Sequence, residues 1–216
     1  MHRHEIRYAF LMRLPEGDSG LVQIVDAALA DATVRAGALL LCREGCTQCC
    51  FGAFSINSLD ALRLQAGMEA LHSAEPSLAA EVERRARDWI AEFAADFPGN
   101  ARTGALGETQ AERERFEEFA SEAACPALDA ATGRCDLYAW RPMTCRVFGP
   151  PIRMDAPTAD VYALGHCELC FDGAGEAEVA ACEMALPHDL EARLLREIEC
   201  ALAAKGETVV AFALLR

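Results

Sequence analysis

The sequence contains no run of roughly 18 or more apolar residues, which excludes an ordinary membrane-spanning helix. It also lacks a basic excess. With 34 acidic residues against 20 Lys and Arg, the formal charge is −14 and the isoelectric point about 4.8. Like charge repels at long range, so neither nucleic acid nor an anionic membrane is expected as a partner. The N-terminal stretch has basic residues, but its apolar part, Tyr8 to Met12, is short for a secretion signal and is closed by Arg13. A cytoplasmic protein is expected. There is no Gly-rich strand-to-helix turn for a nucleotide or adenosyl cofactor. No His/Asp/Ser or paired-carboxylate set stands out from the acidic background, and no internal repeat is evident. These absences weigh against an enzyme.

What the chain does have is cysteine: 11 in 216 residues. A chain of this length buries a sizeable core without covalent staples. In a reducing compartment, an odd and large number of thiols points to metal ligands or redox groups instead of a disulfide framework. The densest group is CREGCTQCC, four cysteines between Cys42 and Cys50. Two cysteines separated by two residues can chelate one ion, because the intervening turn brings both sulfurs to one side and leaves amides to hydrogen-bond them. Cys46 and Cys49 have that spacing, as do Cys167 and Cys170. Cys49 and Cys50 are adjacent, and their side chains are expected to diverge. They should not both bind a single ion, which points to a neighbouring metal or a cluster.

The rest of the chain reads as helices. Residues 19–41 carry Leu21, Val25, Ala28, Ala32, Ala36 and Leu39 at spacings of three or four behind Asp18 or Ser19 as N-cap. A second helix follows Asn57 or Ser58, with Leu59, Leu62, Ala66 and Leu71 as its buried stripe. A third opens at Pro76, repeats Leu78, Val82, Trp89, Ile90, Phe93 and Phe97, and stops by Pro98-Gly99. Residues 108–123 form a charged helix with Phe116 and Phe119 on one edge, and a last helix runs from about Pro187 to Lys205 with Gly206 as its C-cap. The stretch TVVAFALL reads as a short closing strand. Between Cys125 and Pro157 stand three cysteines, five prolines and two glycines, a composition that breaks regular elements and needs another source of order. The expected fold is mainly α: one compact helical domain over 1–216, with a long Cys/Pro/Gly-rich loop ordered by a metal centre and at most a short terminal strand pair.

Cys46-x-x-Cys49-Cys50, followed downstream by CPALDAATGRCDLYAWRPMTCRVFGP, resembles the CxxCxxCC, or YkgJ-type, cysteine cluster family. The matching positions are Cys125-Pro126, Leu128, Gly133, Cys135, Tyr138, Arg141-Pro142 and Cys145-Arg146. The resemblance implies a zinc or iron centre, an iron-sulfur cluster included, held by Cys46, Cys49, Cys50, Cys125, Cys135 and Cys145. Cys167 and Cys170 join this set by spacing alone. Eight thiolates would fill two zinc sites, or one 4Fe-4S cluster and one zinc site. The site is thus expected from segments 42–50, 125–146 and 167–170. Cys42 departs from the family pattern, with three residues before Cys46 where two are usual, and is not expected to bind.

Arg134, Arg141 and Arg146 lie among the thiolates and could offset their charge, or be exposed loop residues. Tyr138 and Trp140 read as core residues. Cys182, twelve residues after the second CxxC, reads as a buried structural thiol ahead of a spare ligand, Cys200 as non-ligating, and His166 is hindered by its adjacency to Cys167. His2, His4, His72 and His188 read as solvated or capping. Beyond a metal-binding protein, two functions stay open. One is an iron-sulfur enzyme, because relatives with this cysteine pattern include a flagellin lysine methylase. The other is a redox-responsive thiol protein cycling Cys49-Cys50 or a CxxC pair.

Overall fold

The computed structural model describes residues 13–43, 45–154, 163–202 and 205–215. Among the described residues the fold is mainly helical, with eight α-helices and short antiparallel strand pairs, as the sequence predicts for a mainly α fold. Among the described residues no helix is long and apolar enough to cross a membrane. His2, His4 and the Tyr8 to Met12 stretch lie outside the described residues. In chain order the elements are α1 (Asp18–Ala36), β1 (Ser55–Ile56), α2 (Ser58–Ala74), α3 (Pro76–Phe93), β2 (Gly99–Asn100), β3 (Ala105–Leu106), α4 (Gln110–Glu118), β4 (Leu128–Asp129) and β5 (Arg134–Cys135). There follow α5 (Met143–Val147), β6 (Ile152–Met154), β7 (Ala163–Gly165), α6 (Glu176–Ala181), α7 (His188–Leu202), β8 (Thr208–Val209) and α8 (Val210–Ala213). They fall into two compact units, one built from Gly45–Pro142 and Leu194–Arg216, the other from Glu16–Glu44 and Met143–Arg193.

The first unit is founded on the α2–α3 hairpin. Asn57 caps α2 by accepting the Asp60 amide at 3.0 Å, and Pro76 opens α3 where its missing N–H costs nothing. Their facing residues Leu64, Met68, Ala79, Val82 and Ala86 are buried together with Ile56, Val210 and Ala213. Helix α3 ends at Phe93, a turn before Pro98-Gly99. A second cluster is aromatic: Phe97 and Phe119 meet edge-to-face at 5.6 Å and 83°, and Trp89, Phe93 and Phe212 pack around them.

Two predicted elements differ in extent. Helix α4 covers only Gln110–Glu118; the Thr109/Glu112 capping box starts it, and Ala120 at φ 51° lies beyond its end. In TVVAFALL only Thr208–Val209 is extended, paired antiparallel with β1 as Ser55↔Val209 and Ile56↔Thr208. Val210–Ala213 then turns into a helix whose four residues are all buried. Tertiary packing decides there, since β-branched residues with no exposed face carry no period.

The Cys/Pro/Gly-rich stretch has its own internal order. In the first unit Leu128↔Cys135 and Asp129↔Arg134 pair as a hairpin. Asp129 accepts from the Ala131 amide and the Thr132 hydroxyl, and Gly133 takes the left-handed conformation (φ 70°) that closes the turn. Ala127 and Leu137 anchor it in the core. Asx-turn chemistry and this anchoring supply part of the order that the composition of the segment calls for.

In the second unit α1 buries Leu21, Val25, Ala32 and Ala36 as predicted, but it stops at Ala36 and not at residue 41, because Gly37 adopts φ 52°. Gly17, not Asp18 or Ser19, stands at its N-cap. Arg146, almost fully buried, donates to both carboxylate oxygens of Asp26 at 2.8 and 2.9 Å, fastening α5 to α1. The β6–β7 pair runs Ile152↔Gly165 to Met154↔Ala163; Pro157, in the predicted loop, lies outside the described residues, as do residues 203 and 204 of the predicted last helix.

Gly67 in α2 faces the 3-10 turn Tyr138–Trp140: a Cβ built there would stand 2.6 Å from both Cβ and Cγ of Trp140. Gly67→Ala should gain about 1 kcal/mol of helix propensity but cost about 1–3 kcal/mol in overpacking, since the obstructing atoms lie next to backbone. A lowered Tm in thermal denaturation is therefore expected, whereas Ser73→Ala on the exposed end of α2 should leave it unchanged.

Candidate metal centre

The 3-10 turn Gln48–Cys50 holds the adjacent cysteines, with the Cys50 amide donating to the Thr47 carbonyl at 2.8 Å. Beyond it the chain runs antiparallel to residues 123–125. The Cys125 amide donates to the Cys50 carbonyl at 2.7 Å, Phe51 bridges Ala124, and the Gly52 amide donates to the Ala123 carbonyl at 2.9 Å. Gly52 is required by space and conformation alike, with φ 85° and a Cβ position 3.2 Å from the Ser121 carbonyl. This pairing sets Cys50 beside Cys125. The β4–β5 hairpin then returns Cys135 to the same place, with the Leu128 amide bonded to the Cys125 carbonyl and the Asp136 amide to the Ala127 carbonyl. Cys46 lies in the loop at residues 45–47, whose Thr47 Cγ2 is 3.6 Å from the Cβ position at Gly133 in the hairpin turn.

The electrostatics show that these sulfurs act on one another. The Cys50 thiol hydrogen-bonds Cys49 and, helped by the Cys49 amide and the Arg141 charge, draws Cys49 down to about 7 against the opposing effect of burial. Cys50 is pushed far up, first by that same bond and by burial, then by the charges of Cys49, Cys125 and Cys135. Burial pushes Cys125 up to about 12, with Cys135 and Cys49 adding to it and the Ala127 amide and Arg85 opposing. Cys135 is raised for the same principal reason. Four thiols so placed cannot all ionise without a cation among them. The adjacent side chains therefore meet instead of diverging, which corrects the sequence reading: a 3-10 turn brings consecutive side chains closer than an extended backbone would.

Two arginines serve this set. Arg141 donates to the Tyr138 carbonyl at 2.9 Å, lies 4.0 Å over the Tyr138 ring, and lowers Cys49 and Cys135 by its charge. Arg85 was not among the candidates. It reaches from α3 to the Pro126 carbonyl at 2.8 Å and pairs with the Asp136 carboxylate, so it grips the residues next to Cys125 and Cys135. The only trace in the sequence is its place between buried Val82, Ala86 and Trp89, on the margin of an amphipathic face. Arg146 instead serves Asp26, and Arg134 is exposed. Trp140 packs on the core as predicted, but Tyr138 is 63% exposed; its role is to support Arg141.

The remaining candidates Cys145, Cys167 and Cys170 belong to the second unit. Cys167 and Cys170 share a buried cluster with Cys182, and Cys42 packs against it with its Sγ 3.9 Å from that of Cys170. Cys42, which spacing discounts, thus stands beside a predicted ligand. His166 turns its Nδ1 to the Cys167 carbonyl at 3.0 Å and its ring to Phe171. Cys200 is exposed, and His72 pairs with Glu83 at 2.7 Å. Among the described residues, no three His, Cys, Asp or Glu side chains converge to the distances that hold an ion. Thiolates are soft donors suited to zinc and iron alike, and with two arginines nearby the donor set fits either; loading would draw the sulfurs inward.

The family description "CxxCxxCC: Putative zinc- or iron-chelating domain" matches residues 41–158. No curated protein and no solved structure matches the chain.

Replacing Arg85 by Ala would strip Asp136 of its buried partner and free the Pro126 carbonyl. A loss of about 1–3 kcal/mol in chemical denaturation is expected, together with weaker metal retention against a chelator. Arg84→Ala on the exposed side of the same helix should change neither.

Proposed function

Because the chain belongs to the CxxCxxCC family of zinc- or iron-chelating domains, we propose that it is a metal-binding protein whose first unit chelates through Cys49, Cys50, Cys125 and Cys135, with Cys46 at the rim. The observation that carries this reading is the backbone pairing that sets Cys50 beside Cys125 and the hairpin that returns Cys135 to them, and the shifted ionisation of the four thiols agrees with it. Half-buried thiols gathered in this way are costly as thiolates and are balanced by a divalent cation or an iron-sulfur core. Because Cys49 and Cys50 meet side by side, the set suits a zinc ion and an iron or iron-sulfur centre alike. When bound, such a centre supplies either a structural tie or an electron site. The protein's own part is to hold the sulfurs by the 50–125 pairing, to offset their charge with Arg85 and Arg141, and to shield them with Leu137 and Trp140.

Anaerobic purification with metal analysis and a visible spectrum tests the assignment. Cys125→Ser and Cys135→Ser should each abolish or severely reduce the metal content of this unit, while Cys200→Ser keeps it; full retention in both would overturn the reading. Uptake must also release protons from the raised thiols Cys50, Cys125 and Cys135. Raised thiols are protonated when metal-free, so apparent affinity should climb with pH and fall on acidification, as read by competition with a chromophoric chelator.

The readiness of Cys49 to ionise, drawn down to about 7, favours a second reading, a redox-responsive pair. The Cys49 thiolate would attack a low-molecular-weight disulfide and release one thiol, and Cys50 would then displace the second thiol to close the Cys49–Cys50 disulfide. Thiol titration separates the two. A chelating protein hides these thiols until the metal is stripped, whereas a redox pair shows them as soon as it is reduced.

A further inference from the structure

The second unit contains a thiol group that the family match does not cover, for Cys167, Cys170 and Cys182 all lie beyond residue 158. We infer that Cys42, Cys167, Cys170 and Cys182 form a separate four-thiolate zinc site in that unit.

The four come from three distant stretches of chain and meet in one apolar cluster, where Cys167, Cys170 and Cys182 are 3%, 2% and 4% exposed and Cys42 packs against them. The separation of 3.9 Å between the sulfurs of Cys42 and Cys170 is informative. A disulfide would hold them at about 2.05 Å. Two sulfurs on one tetrahedral zinc, each about 2.3 Å from the ion, stand about 3.8 Å apart. The gap matches that edge and is also the reach of a thiol–thiol hydrogen bond; among the described residues no three sulfurs stand at ligating distances, so Cys167 and Cys182 would take the other two corners by side-chain rotation on loading.

The backbone is arranged for the same purpose. Cys167-Glu-Leu-Cys170 closes as a turn, with the Cys170 amide on the Cys167 carbonyl at 2.9 Å, and the next residue, Phe171, takes φ 63°, unusual for a bulky side chain. Its amide donates to the Leu39 carbonyl at 2.8 Å, tying this turn to the chain just before Cys42. Gly149 lies against the Cys42 sulfur so closely that a Cβ would come within 2.7 Å, and its carbonyl accepts the Cys167 amide at 3.2 Å. Arg35, in the last turn of α1, donates to the carbonyls of Ala181 and Glu183 and so clamps the two residues flanking Cys182. It also brings positive charge toward a site that would carry a formal charge of −2. Four thiolates, three of them buried and Cys42 half-buried, suit structural zinc, which here would tie α1, the Gly149 loop, the Cys167 turn and the end of α6 into one body.

The test uses the full chain, purified with zinc and analysed by metal content per chain. Cys42→Ser and Cys182→Ser should each lose one equivalent of zinc while the metal of the first unit remains. Cys125→Ser should do the reverse, so failure of either site is visible independently of the other. Should a variant not fold, mass-spectrometric mapping of alkylated thiols in the unaltered protein decides. Cys42, Cys167, Cys170 and Cys182 should be protected together and become reactive together once a zinc chelator is added. Full zinc in both Ser variants, equal alkylation with and without chelator, or a Cys42–Cys170 disulfide in the isolated protein would overturn the site.

Discussion

Sulfurs that are buried within reach of one another cannot all carry charge unless a cation stands among them, and this constraint governs the first unit. Cys125 is held up near 12 and Cys50 higher still, while Cys49 falls to about 7 because its neighbour's thiol supports its charge. A fold that merely needed small apolar residues would gain nothing by setting four thiols side by side, since alanine or valine fills such space without an ionisation to suppress. The arrangement makes sense as a ligand set whose desolvation cost a metal offsets.

The scaffold serves that constraint through a few long-range bonds. The α2–α3 hairpin supplies a rigid core, and from it Arg85 reaches the backbone and carboxylate beside Cys125 and Cys135. The short pairing of residues 50–52 with 123–125 does what no helix could, bringing sequence neighbours of two different cysteines within a single hydrogen bond. In the second unit Arg35 and the Gly149 loop do the corresponding work. Each arginine also pairs with a carboxylate, Arg85 with Asp136 and Arg35 with Asp31.

Much of this was legible in the residues, and the reasons are physical. Asn57 and Pro76 announce their helices because capping is local chemistry, and the stripe from Leu21 to Ala36 shows a period that only a helix buries. TVVAFALL was misread beyond its first two residues because a segment buried on every side has no polar face to reveal its period. The family spacing speaks only of neighbours in sequence and so carries no sign of the Cys170 sulfur, which lies 3.9 Å from that of Cys42 across 128 positions. Arg85 left almost no signal for the same reason, since its partners lie 41 and 51 positions downstream.

The proposed metal is held by cysteine sulfur and by no other donor. X-ray absorption at the metal edge of the protein as isolated under anaerobic conditions reads those donors. The expected spectrum has a first shell of sulfur alone at about 2.3 Å if the metal is zinc, and a sulfur shell with a short metal–metal vector if it is an iron-sulfur centre. A shell dominated by nitrogen or oxygen, or a protein isolated without stoichiometric metal, would contradict it.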